Sequence, residues 1–217
     1  MCYCQKIDLN QFIDYYDSPS RGIYALYLKE LNGLKFLGVQ EPDALIEIQD
    51  RIQRIHDKFE VGLLLYIGIA KKRGLKKRIA KHLLRTPRVS TIRYSLAALA
   101  GFKAQKFSSK YTVNKTDNDF ITNWLKEHTY FKIYECANDL VESLEDKYIE
   151  KYIPPLNIFK NPQILSCVSS AREKFRARPS HKLCKPPERC KIESIDQEVL
   201  LCRKEIVIRN VKQSGKR

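Results

Sequence analysis

Two short apolar runs, both read as strands, set the frame of the first third of the chain. Gly22-Ile23-Tyr24-Ala25-Leu26-Tyr27-Leu28 and Leu63-Leu64-Leu65-Tyr66-Ile67-Gly68-Ile69-Ala70 are rich in β-branched and aromatic residues, and each places a glycine near a tyrosine. Side chains two apart share a strand face. The alternation therefore sets Tyr24 opposite Ile23, Ala25 and Tyr27, and Tyr66 opposite Leu65, Ile67 and Ile69. With those apolar rows turned to covering helices, both phenols are expected on the other, open side of the sheet. A third strand is expected at Tyr130–Cys136.

Between and after these runs the period changes to that of a helix. Leu75, Ile79 and Leu83 recur every fourth residue within a helix expected over Leu75–Leu84, and Arg78 and His82 form a second row four apart on the same helix. Leu45, Ile48, Ile52, Ile55 and Phe59 mark an amphipathic helix opened by Pro42. Further helices are expected near Thr91–Ala100, Phe120–Glu127 and Asp139–Tyr152, the last with Asn138 as N-cap and an end forced before Pro154-Pro155. The acids of that last helix divide. Glu142, Asp146 and Glu150 form a solvated row, whereas Glu145 lies in the apolar row Val141-Glu145-Ile149. An inward carboxylate is costly unless a cation or hydrogen-bond donors meet it.

Charge changes the picture most. The chain carries 40 Lys+Arg against 25 Asp+Glu, a net +15, and between Glu60 and Asp117 there are 14 Lys+Arg and no acid. Lys71, Lys72, Arg73, Lys76, Lys77, Lys81, Arg85, Arg88 and Arg93 fall in this stretch and are expected to contact a polyanion backbone. The polar segment Gln105–Asn118 reads as a loop that touches nucleic acid. Residues 163–217 hold 14 Lys+Arg against 6 Asp+Glu, are broken by Pro179, Pro186 and Pro187, and read as a basic, partly disordered extension. Val199-Leu200-Leu201 and Ile206-Val207-Ile208 could pair there as a hairpin.

Length (217 residues) and 43% hydrophobic content suit one main domain with a buried core. Residues 1–20 read as an N-terminal extension without a signal-peptide core, and no window approaches a membrane span, so a cytoplasmic setting is expected. Seven cysteines fit a reducing compartment. His181, Cys184, Cys190 and Cys202 cluster late but lack a Cys-x-x-Cys knuckle, so free thiols are expected in place of a zinc site.

Gly22-Ile23-Tyr24, Tyr66-Ile67-Gly68, Arg78 with His82, Leu144-Glu145 and Pro154-Pro155-Leu156-Asn157 stand in an order that resembles the GIY-YIG nuclease superfamily over residues 21–160. The gap between the two tyrosines is longer than in compact members, because of the insertion at about residues 30–60. The resemblance implies an α+β fold, a small three-stranded antiparallel sheet surrounded by helices, in a catalytic domain over residues 21–162. It also implies roles. Glu145 would hold one divalent ion, Mg²⁺ with Mn²⁺ as substitute, since magnesium keeps several waters and needs few protein carboxylates. Arg78 would sit on the scissile phosphate, and Tyr24 would take or position the attacking water's proton. Tyr66 would order water or phosphate, His82 would hydrogen-bond a tyrosine or relay its proton, and Asn157 would anchor the chain end near Glu145. The expected activity is endonucleolytic cleavage of double-stranded DNA, most simply of the restriction type. Repair, homing and mobile-element nucleases of the same superfamily are the alternatives, and so is a binding module that lost turnover. A homodimer would suit a palindromic site; the helix opened by Pro42 is the candidate face.

Overall fold

The structure is a computed structural model; it describes residues 4–7 (backbone), 20–72 and 74–177. Its centre is an antiparallel sheet. The three expected strands are present as β2 (Gly22–Leu28), β3 (Leu63–Ala70) and β6 (Thr129–Glu135), and a fourth, β1 (Cys4–Ile7), joins the outer edge of β6. The order β1-β6-β2-β3 makes β6 and β2 interior strands, and β2 is paired along its whole length on both sides. Gly22 explains why this strand can start where it does. A Cβ there would run into the Tyr134 carbonyl oxygen of β6, so only glycine lets the two backbones meet.

Both faces of the sheet are covered. Over one lie α2 (Gly74–Leu84), α3 (Thr91–Leu99) and α4 (Lys115–His128), over the other α5 (Val141–Tyr152), and α1 (Pro42–Phe59) packs along the edge strand β3 and feeds the buried clusters on both. Leu75, Ile79 and Leu83 of α2 are fully buried with Tyr24, Leu26 and Phe131. Each such side chain contributes about 1.5–3 kcal/mol of burial. The phenol face is thus the face that α2 covers, and the open side expected for Tyr24 and Tyr66 does not exist: Tyr24 is 0% and Tyr66 8% exposed. The reason is that α2 turns two adjacent rows to the sheet, one apolar and one polar, and the polar row needs the phenols as partners.

A β-bulge corrects the expected alternation in β3. Leu26 pairs with Tyr66 but Tyr27 pairs with Leu64, which leaves Leu65 as the extra residue. Leu65 accordingly joins the buried cluster of Tyr66 instead of the opposite face, and its carbonyl accepts from Leu156 N at 3.0 Å.

Three further segments differ from expectation. Residues 105–118 are not one loop: β4 (Gln105–Phe107) and β5 (Lys110–Thr112) form a hairpin, and α4 starts at Lys115 because the Asn114 side chain caps it, accepting from Asp117 N at 2.8 Å. Asn138 does not cap α5; Leu140 occupies the N-cap position and the Asn138 Oδ1 is buried without a partner. Past residue 162, α6 (Ser166–Ala177) packs on α3 through buried Val168 and Phe175, with Phe175 edge-on to Tyr94 at 5.0 Å.

The stripe of α1 is absorbed inside the molecule. Ile48, Ile52 and Ile55 are buried in the two clusters, leaving Ile46 as the large apolar side chain it exposes. The late cysteine and histidine cluster, the 199–208 hairpin and Arg73 lie outside the described residues. Within them, Cys136 and Cys167 are free thiols, and no helix is long and apolar enough to cross a membrane.

Candidate active site

Tyr24 is the hub. It sits in the interior strand β2 with its ring against Tyr66 (centroids 6.3 Å apart), Phe131 (5.8 Å) and His82 (5.3 Å). Its hydroxyl oxygen accepts from Arg78 Nε at 3.1 Å and lies 2.7 Å from His82 Nε2. The i, i+4 row of α2 therefore delivers a guanidinium and an imidazole to one phenol. Gly68 makes room for it. Gly68 is the cross-strand partner of Tyr24, and a Cβ at that position would stand 2.5 Å from the phenol oxygen. The glycine near the second tyrosine is a steric requirement of the first.

Electrostatics follow from the enclosure. Burial pushes the Tyr24 phenol well above its usual value, the neighbouring Tyr66 and Glu145 add to the rise, and Arg78 opposes it by charge and hydrogen bond. Tyr66 is raised for the same first reason, burial, with Arg78 again opposing. Burial holds His82 well below the usual imidazole value, reinforced by the positive charges of Arg78, Arg93 and Lys81, so its ring is neutral at physiological pH. Its other nitrogen, Nδ1, lies 2.7 Å from Ser90 Oγ.

Glu145 enters from α5, between buried Val141 and Ile149 as its row implied. Its side chain is only 13% exposed. Burial raises its carboxyl above the usual range, while Lys160 pulls the other way. Lys160 Nζ stands 3.1 Å from Glu145 Oε2 and also pairs with Asp146. The field of Glu145 reaches Tyr24, Tyr66 and Arg78. A carboxylate oxygen that already draws an ammonium is a fitting hard donor for a divalent ion that keeps most of its waters. Among the described residues no group of three His, Cys, Asp or Glu could hold a metal ion, so an ion at Glu145 would take most of its coordination from water and substrate.

Asn157 binds the backbone of β3. Its amide spans Ile67, accepting from Ile67 N at 2.8 Å and donating to Ile67 O at 2.8 Å, as a neighbouring strand would. Asn161 in turn donates to Asn157 O at 2.9 Å and Pro154 O at 3.0 Å. The loop after α5 thereby fixes the strand that carries Tyr66 and Gly68. We expect Asn157→Ala to lower stability by about 2–4 kcal/mol, because two buried backbone groups lose their partners. Urea unfolding checks this, and an unchanged midpoint would refute it.

The basic residues divide on inspection. Lys72, Lys77, Arg85 and Arg88 are exposed, Lys76 and Lys81 half-buried. Lys71 pairs with Glu142 at 2.9 Å, and Arg88 lies over the Phe107 ring. Together with Arg78 and Gly74, residues Ile69, Lys71, Lys72, Lys81 and Glu142 line a cleft of about 360 Å³ beside the site. Arg93 does not belong to this surface. It is fully buried, and its guanidinium donates to the carbonyls of His82, Leu83 and Asn118 and to Thr122 Oγ1, tying α3 to the ends of α2 and α4. Position in a basic run could not distinguish it from its exposed neighbours.

Two residues of the site escaped sequence reasoning. Lys160 carried no pattern beyond its nearness to Asn157. Ser90 carried one, a serine just before a helix: it caps α3, accepting from Arg93 N at 3.2 Å.

Comparison with protein-family models matches residues 22–177 to the family described as GIY-YIG catalytic domain. The comparisons with curated proteins and with solved structures gave no match.

Proposed function

The chain belongs to the GIY-YIG nuclease superfamily, and on that premise we propose that it is a magnesium-dependent endonuclease of double-stranded DNA, most simply of the restriction type. The observation that carries this reading is one phenol held by both Arg78 and His82 in the electrostatic reach of the enclosed carboxylate Glu145.

Phosphodiester hydrolysis needs a proton removed from water, charge neutralised on the phosphate and a stabilised leaving oxygen. A divalent ion at Glu145 would supply Lewis-acid neutralisation of a phosphate oxygen. Arg78 uses Nε on Tyr24, which leaves the terminal fork of its guanidinium for the non-bridging oxygens. Tyr24 accepts the proton of the attacking water, with Tyr66 beside it to orient that water. His82 stays neutral and braces the phenol. The exposed lysines and arginines around α2 track the backbone on either side, giving affinity without base choice.

A raised phenol pKa has a direct kinetic consequence. The active form is the phenolate, and below its pKa the phenolate fraction grows tenfold per pH unit. Cleavage under single-turnover conditions should therefore rise with a slope near one from about pH 6 to about pH 8.5. A rate flat across that range would remove Tyr24 from the base role.

The reading is tested by incubating the protein with supercoiled and linear DNA, with magnesium or with EDTA. Magnesium-dependent cutting into discrete fragments supports a restriction-type enzyme, whereas nicking without discrete fragments favours a repair, homing or mobile-element role. Binding without cutting on DNA, branched DNA and RNA, in several metals, would leave a binding module.

A further inference from the structure

Among the described residues the proton of the Ser90 hydroxyl has one destination. Ser90 is 1% exposed, and its oxygen accepts the Arg93 backbone N–H as the cap of α3. Among the described residues the one other hydrogen-bond partner of that oxygen is His82 Nδ1, at 2.7 Å. A buried hydroxyl without an acceptor is costly, so its O–H points at Nδ1, and Nδ1 is then an acceptor. A neutral imidazole carries one proton. With Nδ1 accepting, that proton sits on Nε2, which faces the Tyr24 oxygen at 2.7 Å.

We propose that Ser90 is a positioning residue that locks His82 in the Nε2–H tautomer, so that the imidazole donates to Tyr24 and does not take its proton. This rests on the reading of Tyr24 as the group that meets water, and it decides between the two roles open to His82. The phenol oxygen then receives two donors, Arg78 Nε–H and His82 Nε2–H. Both favour the phenolate and leave its own proton directed away from Arg78 and His82, on the side where the Tyr66 hydroxyl is its hydrogen-bond partner. Burial of His82 agrees with the assignment, since a ring kept neutral has a tautomer to choose. The order of control runs outward along the fold: the N-cap of α3 sets the hydroxyl, the hydroxyl sets the imidazole, and the imidazole sets the phenol.

Capping and tautomer control can be separated. Glycine caps a helix nearly as well as serine but has no hydroxyl, and threonine keeps the hydroxyl. Long-range ¹H–¹⁵N spectra of the full chain with labelled histidine, assigned with His82→Gln, report which ring nitrogen of His82 carries the proton. The wild type should show Nε2–H, Ser90→Gly a mixture of tautomers, and Ser90→Thr the wild-type pattern. Cleavage by Ser90→Gly should fall about tenfold in kcat with KM unchanged, and Ser90→Thr should restore it. A wild-type His82 protonated at Nδ1, or a Ser90→Gly protein that keeps pure Nε2–H, would overturn the proposal. Tautomers that shift as expected in a protein that cuts no nucleic acid would uphold the Ser90 assignment and sink the nuclease reading instead.

Discussion

Glu145→Ala should yield a folded protein that binds DNA and cuts it at least about a thousandfold more slowly. The size follows from what the carboxylate holds. Metal-assisted neutralisation of the transition state is worth several kcal/mol, and each 1.36 kcal/mol is tenfold in rate. The fold should survive, because Val141 and Ile149 keep α5 on the sheet and Lys160 keeps its pairing with Asp146. Binding should hold or tighten, since the change removes a negative charge beside the phosphate path. Gel-shift and cleavage assays on the same preparation separate the two effects. A variant that cuts at the wild-type rate would show that Glu145 is only a helix acid with its stem along the core, and a variant that loses binding and cutting together would show a structural role.

Tyr24→Phe is the second large effect, and its logic is different. The ring keeps its packing on Phe131, Tyr66 and His82, but a single oxygen disappears. Two donors then lose their acceptor, the partly buried Arg78 Nε–H and the fully buried His82 ring. Leaving buried polar groups unsatisfied costs about 1–3 kcal/mol each, so thermal stability should fall even though nothing is removed from the core. Cleavage should fall about a thousandfold if the phenol takes the proton. Tyr66→Phe should cost less on both counts, because neither Arg78 nor His82 is held by Tyr66. Near wild-type cutting by Tyr24→Phe would place the base elsewhere, and comparable losses in the two variants would argue for water ordering shared between the phenols.

The arrangement also shows how the fold couples stability to chemistry. Arg93 is a buried cation that spends its donors on the carbonyl ends of α2 and on α4. Burial pulls its pKa down to about 10, still well above neutrality, so it stays charged and helps keep His82 neutral. One arginine thus fixes the end of the helix that carries Arg78 and His82 and tunes the second of them at the same time.

What the sequence determined by itself was local and periodic. Strand alternation put Tyr24 and Tyr66 on one face, the fourfold spacing put Arg78 and His82 on one helix row, and the apolar row of α5 turned Glu145 inward; all three are found as read. They were legible because a helix or strand forces neighbours of fixed spacing into fixed directions. Tertiary structure alone decided the rest. Whether the phenols were open or enclosed depended on which face α2 covers, the bulge at Leu65 on the pairing of two distant segments, and the edge strand β1 on a free partner at β6. Arg93 buried and Arg88 exposed differ by five positions in one basic run, and Ser90 reaches His82, as Lys160 reaches Glu145, only through the packing of separate elements. Burial and hydrogen-bond partnership across elements belong to the assembled set of surfaces, and no stretch of chain carries them alone.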